Sequence, residues 1–402
     1  DRFSRFSLNR SDSPGFTLGS LLGEAYTEAS PKQDRTESMP ARKTLAMVQT
    51  APGELVARDL PIPEIGHDDA LLRIEACGIC GSDYEQFEGV LKTPVPVIPG
   101  HEPLGRIEKI GDGAARRWGV DVGDRVAVET MLSCRHCARC LSGEYHLCGS
   151  RRIYSYIPLS DEPGLWGAYA QFMYLHPNSI VHRIDPDLPA ETAVMFNPLG
   201  AGFRWGVEIP NTQPGDTVII MGPGQRGLSC VVACKEAGAA QIIVTGIAAD
   251  ARKLELARAF GADHTIDVEN ENAVRRVQEL TDGRGADVVV DVSSYATEPI
   301  VQSLDFAALG GTVVLAGTKG FKSVPDFVSD KIVMKEITLR GAIGVTSTGY
   351  ANAIRLLEAG TSPLARMHTH QFDLRDAEQA IRTLARQVPG EESIHSCLIP
   401  ET

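Results

Sequence analysis

The stretch TVIIMGPGQRGLSCVVACKEAGAA, residues 217–240, carries the strongest fold signal in the chain. An apolar, β-branched run ends at the glycine-rich turn Gly222-Pro-Gly224-Gln-Arg226-Gly227, and a helical pattern follows. Glycines in such a turn let the backbone approach a phosphate, and the start of the helix supplies N–H groups and a positive dipole end. The order strand, glycine turn and helix therefore predicts a site for the pyrophosphate of a dinucleotide, with Arg226 as an additional charge contact.

Similar apolar runs follow this stretch, namely QIIVTG, DVVVDVS and TVVLAG, and helical segments such as ARKLELARAFGA separate them. Continuous apolar strands that alternate with helices predict a parallel sheet covered on both faces. We therefore predict an α/β fold in which residues 196–346 form a Rossmann-type, doubly wound domain that binds NAD or NADP.

The choice between these two cofactors stays open. An acid about 20 residues beyond the glycine turn normally accepts the adenosine ribose hydroxyls. Here the strand ends at Gly246, where no carboxylate stands. Either Asp250 reaches in from the next loop, or Arg252 and Lys253 favour the 2′-phosphate of NADP.

The chain before residue 196 has a different texture. Short β-rich runs such as ALLRIEACGIC and DRVAV alternate with Gly, Pro and Asp turns, which predicts a β-barrel-type domain over 39–195. A helix, a strand and another helix are predicted within 347–402, where the chain should return to this first domain. Residues 1–38 are Ser-rich and lack a sustained period, so we expect a flexible extension ahead of Met39, a plausible initiator.

Bulk properties exclude several classes of function. The net charge is −13 over 402 residues and no basic stripe stands out, which argues against a nucleic-acid partner. No run approaches the roughly 20 apolar residues of a membrane span, and the N-terminus lacks a signal pattern, so we expect a cytoplasmic protein. Nine unevenly spaced cysteines favour metal binding over disulfides in such a chain.

Four of these cysteines, Cys134, Cys137, Cys140 and Cys148, have the spacing C-x2-C-x2-C-x7-C. This spacing can bring four thiolates around one tetrahedral Zn²⁺ at about 2.3 Å each. A closed sulfur shell has no open position for a substrate. The lobe 134–148 is therefore predicted to hold a structural zinc ion that compensates for its lack of a hydrophobic core.

A second metal site is indicated upstream, where Cys80 precedes His101 and Glu102. Cysteine, histidine and carboxylate suit a catalytic zinc ion with one open position. Such an ion lowers the pKa of a bound hydroxyl, after which a hydride can leave the carbinol carbon. The sequence therefore predicts a small-molecule alcohol or carbonyl substrate.

The segments CGICGSD at 77–83 and GHE at 100–102, the four-cysteine lobe and the glycine turn together resemble the zinc-containing alcohol dehydrogenases of the medium-chain dehydrogenase/reductase superfamily. Within this superfamily, the CGICGSD and GHE segments are most similar to those of the sorbitol and threonine dehydrogenase branch. The resemblance implies a GroES-like catalytic domain beside the Rossmann domain and oxidation of a secondary alcohol, polyol or sugar-like substrate. It also implies a homodimer or homotetramer.

The resemblance assigns roles to individual residues. Cys80, His101 and Glu102 become the catalytic-zinc residues, Asp83 orients His101, and Ser82 begins a proton relay. Seven more residues are implied to line the cofactor groove: Ser293, Val314, Leu315, Ala316, Ile343, Gly344 and Val345.

Two positions depart from the family pattern. Asn197 stands where relatives usually show a cysteine or an acid, and an amide is a poor zinc ligand. Water would then take the fourth position, with Asn197 binding water or substrate. Glu85 stands where relatives often place a relay histidine, so proton release runs through Glu85 or directly to solvent.

Two alternatives compete with the dehydrogenase hypothesis. A dinucleotide-binding protein without turnover would explain Asn197 and Glu85 as marks of a decayed metal site. A zinc-free, NADPH-dependent reductase acting on activated double bonds would share the fold but would have no need of Cys80 and His101. The presence of both potential ligands argues against that reductase.

Overall fold

The structure, a computed structural model, describes residues 42–361 and 363–401, so the extension predicted over 1–38 lies outside the described residues. The described residues form seventeen strands. In chain order they are β1 (Lys43–Ala51), β2 (Glu54–Pro61), β3 (Ala70–Ile79), β4 (Pro103–Ile110), β5 (Arg125–Val128), β6 (Met131–Leu132), β7 (Arg152–Ile153), β8 (Phe172–Leu175), β9 (Val181–Arg183), β10 (Thr217–Met221), β11 (Gln241–Gly246), β12 (His264–Asp267), β13 (Ala286–Asp291), β14 (Ala307–Leu315), β15 (Thr338–Gly341), β16 (His368–Asp373) and β17 (His395–Ile399).

Twelve α-helices lie between these strands in the same residues. They are α1 (Gly81–Phe87), α2 (Asp112–Trp118), α3 (Ala138–Leu141), α4 (Ala190–Ala193), α5 (Phe196–Phe203), α6 (Gln225–Glu236), α7 (Ala251–Ala259), α8 (Ala273–Leu280), α9 (Glu298–Phe306), α10 (Asp330–Lys335), α11 (Ser347–Glu358) and α12 (Ala377–Leu384). Short 3₁₀ turns occur at Tyr145–Leu147, Ala248–Asp250, Pro363–Met367 and Leu374–Asp376, and a π-helical turn at Arg204–Glu208.

The apolar runs after residue 216 form one six-stranded sheet in the order β12-β11-β10-β13-β14-β15, and every pairing in it is parallel. Successive side chains of β10 belong to two different hydrophobic cores, one on each face of the sheet. Val218 shares its core with Leu228 of α6, and Ile219 shares the other core with Leu304 of α9. Helices therefore cover both faces of the sheet, which confirms the predicted doubly wound fold.

A seven-stranded sheet has the order β16-β17-β3-β4-β5-β9, with β8 also beside β3, and only its β16–β17 pair is parallel. Because β17 pairs with β3, Leu398 lies opposite Cys77, so C-terminal residues complete a sheet begun near the N-terminus. This largely antiparallel sheet corresponds to the β-rich domain predicted before residue 196. Its core includes Leu72, Trp166 and Tyr169.

The ends of three strands bring the two sheets together. β3 ends one residue before Cys80, β4 begins directly after Glu102, and β10 ends at the glycine turn. The side-chain amide of Gln225, the first residue of α6, donates a hydrogen bond of 3.1 Å to the backbone oxygen of Ile79. The dinucleotide motif and the Cys80 segment therefore lie side by side.

Among the described helices, none combines the length and the apolar character that a membrane crossing requires.

Candidate active site

Cys80 and His101 meet because they lie at adjacent ends of paired strands. Cys77 of β3 stands opposite Pro103 of β4, so the residue after β3 comes close to the residues before β4. The Sγ atom of Cys80 lies 3.2 Å from Nε2 of His101. The hydroxyl of Ser82 lies 2.8 Å from the same sulfur and 3.3 Å from the same nitrogen.

Asp83 contacts both Cys80 and His101 and holds them in place. Its Oδ1 lies 3.3 Å from Nδ1 of His101, and its Oδ2 accepts a hydrogen bond of 2.9 Å from the backbone N–H of Cys80. Burial opposes a charge on His101, but the negative charges of Asp83 and Cys80 raise the pKa of this imidazole well above its ordinary value. One ligand atom from each of Cys80, Asp83 and His101 lies within 4.8 Å of the others.

Glu102 lies beside this group rather than within it. It is fully buried, and its Oε1 accepts a hydrogen bond of 2.6 Å from Nη2 of Arg226. Its Oε2 is buried and has no hydrogen-bond partner among the described residues. Burial raises the pKa of Glu102, and the positive charge of Arg226 opposes that rise. The sequence therefore located Glu102 near the site but gave no sign of its partner.

The arrangement fits a bound zinc ion. A sulfur and an imidazole nitrogen on one tetrahedral zinc are about 3.6 Å apart, which is close to the separation of the Cys80 and His101 ligand atoms. The second oxygen of Glu102, Oε2, lies against Gly78 and is a buried acceptor without a hydrogen-bond partner among the described residues. A cation at this point would satisfy groups whose burial is otherwise costly.

A cavity of about 390 Å³ opens in front of Cys80 and His101. Both sheets contribute to it, because segments after β3, β5, β13, β14 and β15 reach its wall. Polar groups on this wall include Ser82, Glu85, Thr130, Tyr156, Asn197, Ser294, Thr318 and Tyr350.

Asn197 lies on α5 and is 2% exposed. Its Nδ2 atom donates to the hydroxyl of Tyr350 at 3.3 Å and to Oγ1 of Thr130 at 3.4 Å. Thr130 in turn donates to the backbone oxygen of His101 at 2.9 Å. Sequence reasoning missed Thr130 and Tyr350, because neither stands in a recognisable motif.

Glu85 lies on α1, one turn beyond Ser82, and faces the same cavity. Its Oε1 accepts a hydrogen bond of 3.2 Å from Thr318. Tyr156 also lines the cavity, and burial raises the pKa of its phenol to about 12. That phenol therefore keeps its proton at neutral pH and acts as a hydrogen-bond donor or acceptor.

The glycine turn has the geometry that a phosphate cradle requires. Gly222 has φ +105°, and a Cβ on Gly227 would lie 1.9 Å from the backbone oxygen of Gly222. Gly224 is the N-cap of the twelve-residue helix α6. The N–H groups at the start of a helix suit the pyrophosphate of a dinucleotide.

The residues predicted along the cofactor groove divide into two groups. Ala316, Ile343, Gly344 and Val345 line the cavity. Val314 is instead buried in the core beneath the sheet, and Leu315 pairs with Asp291 of β13.

Ser293 belongs to a buried polar cluster that sequence reasoning missed. Its hydroxyl donates to Asp291 at 2.5 Å, and the ammonium group of Lys319 lies 2.8 Å from the same carboxylate. This cluster joins the loops after β13 and β14.

The adenosine ribose of the cofactor is expected near the end of β11, which ends at Gly246. Asp250, in the following turn, already has partners within the protein. Its Oδ1 pairs with Arg386 at 2.5 Å and with Lys253 at 3.8 Å, while its Oδ2 accepts from the N–H of Ile247 at 3.3 Å. Arg252 lines a separate cavity together with Glu255 and Arg366. Both NAD and NADP are therefore retained as cofactors.

The four-cysteine lobe has the dimensions of a zinc site. The sulfur of Cys140 lies 3.5 Å from that of Cys137 and 3.8 Å from that of Cys134, and all four sulfurs lie within 4.8 Å of one another. Tetrahedral thiolates on one zinc are about 3.8 Å apart. Hydrogen bonds from backbone N–H groups, chiefly those of His136 and Cys137, lower the pKa of Cys134 to about 6, which favours the metal-binding thiolate.

Two family models match the chain. Residues 66–186 match the model for the alcohol dehydrogenase GroES-like domain, and residues 227–359 match that for zinc-binding dehydrogenases. A protein named probable alcohol dehydrogenase from Mycobacterium tuberculosis is 48% identical over 360 residues, which cover 88% of this chain and 98% of that protein. Erythritol/L-threitol dehydrogenase from Mycolicibacterium smegmatis is 32% identical, over 89% of this chain and 98% of its own.

Solved structures show the same architecture. An alcohol dehydrogenase from Thermotoga maritima superposes with a TM-score of 0.81 at 25% identity, over 90% of this chain and 100% of that one. A protein from Sinorhizobium meliloti described as a putative zinc-binding dehydrogenase, solved with bound NADP, gives a TM-score of 0.79 at 26% identity, over 89% of this chain and 100% of that one.

Proposed function

Since the chain belongs to the zinc-containing alcohol dehydrogenases of the medium-chain dehydrogenase/reductase family, we propose that it interconverts a polyol or related secondary alcohol and its ketone at the cavity in front of Cys80 and His101. It is an NAD(P)-dependent enzyme. The observation that carries this assignment is the Cys80–Asp83–His101 group, which faces a cavity bordered by residues that follow β13 and β14.

Cys80 and His101 would hold the catalytic zinc ion, with Asp83 orienting His101 through its Nδ1 side. When bound, the zinc ion would polarise the substrate hydroxyl, and NAD(P)⁺ would accept the hydride. The four sulfurs of the lobe would hold a second, structural ion. Gly222, Gly224 and Gly227 would receive the pyrophosphate at the start of α6.

The hydroxyl proton of the substrate needs an acceptor before the hydride can leave the carbinol carbon. Ser82 Oγ is the hydroxyl next to the Cys80 sulfur and the His101 ring, so it is placed to take this proton. Glu85, on the same helix and on the cavity wall, is the next proton-accepting group. We assign the proton route from Ser82 to Glu85 and then to solvent.

The polar cavity wall supports a polyol rather than a simple alkanol. Asn197 offers an amide, and Tyr156 and Thr318 offer hydroxyls, to a second substrate hydroxyl. A relative named erythritol/L-threitol dehydrogenase is 32% identical to this chain. Hydrogen bonds to a substrate hydroxyl discriminate strongly against analogues that lack it.

The proposal extends to a dimer that joins two copies at β15. Among the described strands, this edge strand pairs with β14 alone, and all four of its residues are exposed. Val333 and Met334 on the neighbouring helix α10 are 72% and 79% exposed. An unprotected edge with apolar neighbours suits antiparallel pairing with a second copy, because such pairing is self-complementary.

We also propose the domain division 39–195, 196–346 and 347–402, with the last segment returning to the first domain. The pairing of β17 with β3 supports this return. A cytoplasmic location is proposed on the net charge of −13 and the free thiols of the described cysteines.

A substrate screen tests the function. Wild-type protein is assayed with C4 to C6 polyols, 2-butanol and primary alkanols, with both NAD⁺ and NADP⁺. We expect polyol oxidation to exceed that of 2-butanol in kcat/KM, and Cys80→Ser to abolish it. Equal activity of wild type and Cys80→Ser would overturn the assignment.

A further inference from the structure

Arg226 belongs to the dinucleotide motif, but its side chain contacts residues outside that motif. Arg226 is the second residue of α6, at the helix start where a pyrophosphate is favoured. Its guanidinium nevertheless reaches Glu102, 124 residues away in the sequence and next to the zinc ligand His101. One side chain therefore touches both the cofactor segment and the metal segment.

The surroundings of Arg226 leave it able to take another partner. Nη2 donates to Glu102 Oε1 at 2.6 Å, and Nη1 donates to the backbone oxygen of Asn197 at 3.2 Å. A guanidinium has five N–H donors, so others remain for an anion. The group lies over the ring of Trp205 at 5.6 Å and lines the cavity, with 20% of its side chain exposed.

Glu102 is also placed between two partners. One of its oxygens is paired with Arg226, and the other is buried without a partner, beside the Cys80 segment. A carboxylate that moves toward a metal ion weakens its pairing with a guanidinium. The two cations, Arg226 and the metal, therefore compete for one carboxylate.

We propose that Arg226 couples the dinucleotide site to the catalytic-metal site by sharing Glu102, an inference that rests on the function proposed above. A pyrophosphate at the start of α6 draws on the Arg226 guanidinium and releases Glu102 toward the metal. Bound metal, by attracting Glu102, leaves Arg226 free for the phosphates. Each ligand therefore favours the other, and by linkage both affinities change by the same factor. Arg226 acts here as a positioning residue.

Zinc affinity measured by competition with a chromophoric chelator tests this coupling directly. Wild-type protein is titrated alone, with NADP⁺, with NAD⁺ and with ADP-ribose, which has the pyrophosphate but no nicotinamide. Cys80→Ser identifies which zinc ion is released. We expect saturating ADP-ribose to tighten zinc binding at the Cys80 site about 5-fold to 150-fold, and to leave the four-cysteine site unchanged.

The variants separate the shared carboxylate from other causes. In Arg226→Gln, zinc affinity should no longer respond to ADP-ribose, whereas Arg226→Lys, which keeps the charge, should retain part of the response. Arg355→Gln removes an exposed ion pair with Glu236 and should behave as wild type. The wild-type titrations remain decisive if Arg226→Gln fails to fold.

An unchanged zinc affinity in wild type with ADP-ribose, or a full response in Arg226→Gln, overturns the coupling. A response to NADP⁺ but not to ADP-ribose also overturns it, because the effect would then come from the nicotinamide half. If zinc binds at the Cys80 site without any response, only the coupling fails. If no zinc binds there in any state, the proposed function fails.

Discussion

The hydroxyl of Tyr145 in the four-cysteine lobe donates a hydrogen bond of 2.7 Å to the Glu129 carboxylate, which lines the active-site cavity. Glu129 is 1% exposed and also accepts hydrogen bonds from Ser347 at 2.5 Å and from His182 at 2.8 Å. The lobe therefore supports the cavity wall through a buried carboxylate.

Removing this hydroxyl should destabilise the protein measurably. Tyr145→Phe leaves Glu129 with one donor fewer, and a hydrogen bond to a charged group contributes about 1.5–3 kcal/mol. We expect a loss of this size in urea unfolding, with both zinc ions retained. Tyr84→Phe is the matched control, because its hydroxyl accepts an exposed hydrogen bond from Gln387. Equal stabilities of the two variants would show that the Tyr145 contact does not support the wall.

Asp83 should matter through His101 rather than through the fold alone. Asp83→Asn weakens the interaction with Nδ1 of His101. We expect it to reduce the zinc affinity of the Cys80 site or the kcat/KM of the enzyme by roughly 10-fold to 100-fold. Asp68→Asn, at an exposed carboxylate, should change neither quantity. Chelator competition and steady-state kinetics provide the measurements. A value within twofold of wild type for Asp83→Asn would exclude the orienting role.

The contact between the buried His395 and the half-buried His368 gives the protein acid sensitivity. His395 is fully buried, its Nδ1 lies 3.2 Å from that of His368, and its pKa falls to about 3 because of burial, His368 and Arg226. In the unfolded chain the pKa is about 6.5, so only the unfolded state binds this proton between these two values. The contribution to stability is complete above pH 6.5 and decreases as the pH falls toward 3.

Between pH 7 and pH 5, wild type should therefore lose about 2 kcal/mol more unfolding free energy than His395→Asn. Urea titrations at the two pH values measure this difference. His67→Asn, at an exposed site, should follow wild type. The same pH dependence in His395→Asn and wild type would mean that His395 does not keep its proton-free state on folding.

The edge at β15 predicts the assembly state. Lysines in place of Val333 and Met334 bring charge into the proposed contact between two copies. In analytical ultracentrifugation we expect this variant to be monomeric, or to have a dimer dissociation constant at least tenfold higher than that of wild type. Val122→Lys replaces a side chain that is 64% exposed elsewhere and should leave the assembly unchanged. A wild-type monomer, or a dimer unaffected by the lysines, would refute this contact.

The parts of the fold that could be predicted from sequence are those with local signals. The apolar runs TVIIM, QIIVT and DVVVD coincide with β10, β11 and β13, because a strand buried on both faces needs continuous apolar residues. The spacing of Cys134 to Cys148 likewise placed four sulfurs around one point. In these cases the residues that interact are close in the sequence.

Contacts between distant segments could not be predicted. The Arg226–Glu102 pair spans 124 residues, and the hydrogen bond between Tyr145 and Ser347 spans 202. Nothing local distinguishes Thr130 or Tyr350 from core residues, although both surround Asn197. Likewise, Asp250 could be named as a potential ribose ligand, but its engagement by Arg386 depends on the packing of a segment from the far end of the chain.

The zinc content of the protein, purified without chelators, tests the central claim most directly. We predict two zinc ions per chain in wild type, one in Cys80→Ser, and loss of the lobe ion in Cys148→Ser, while Cys234→Ser, at a buried thiol outside both clusters, keeps two. A single zinc ion in wild type that Cys80→Ser retains would contradict the claim that Cys80 and His101 form a catalytic metal site.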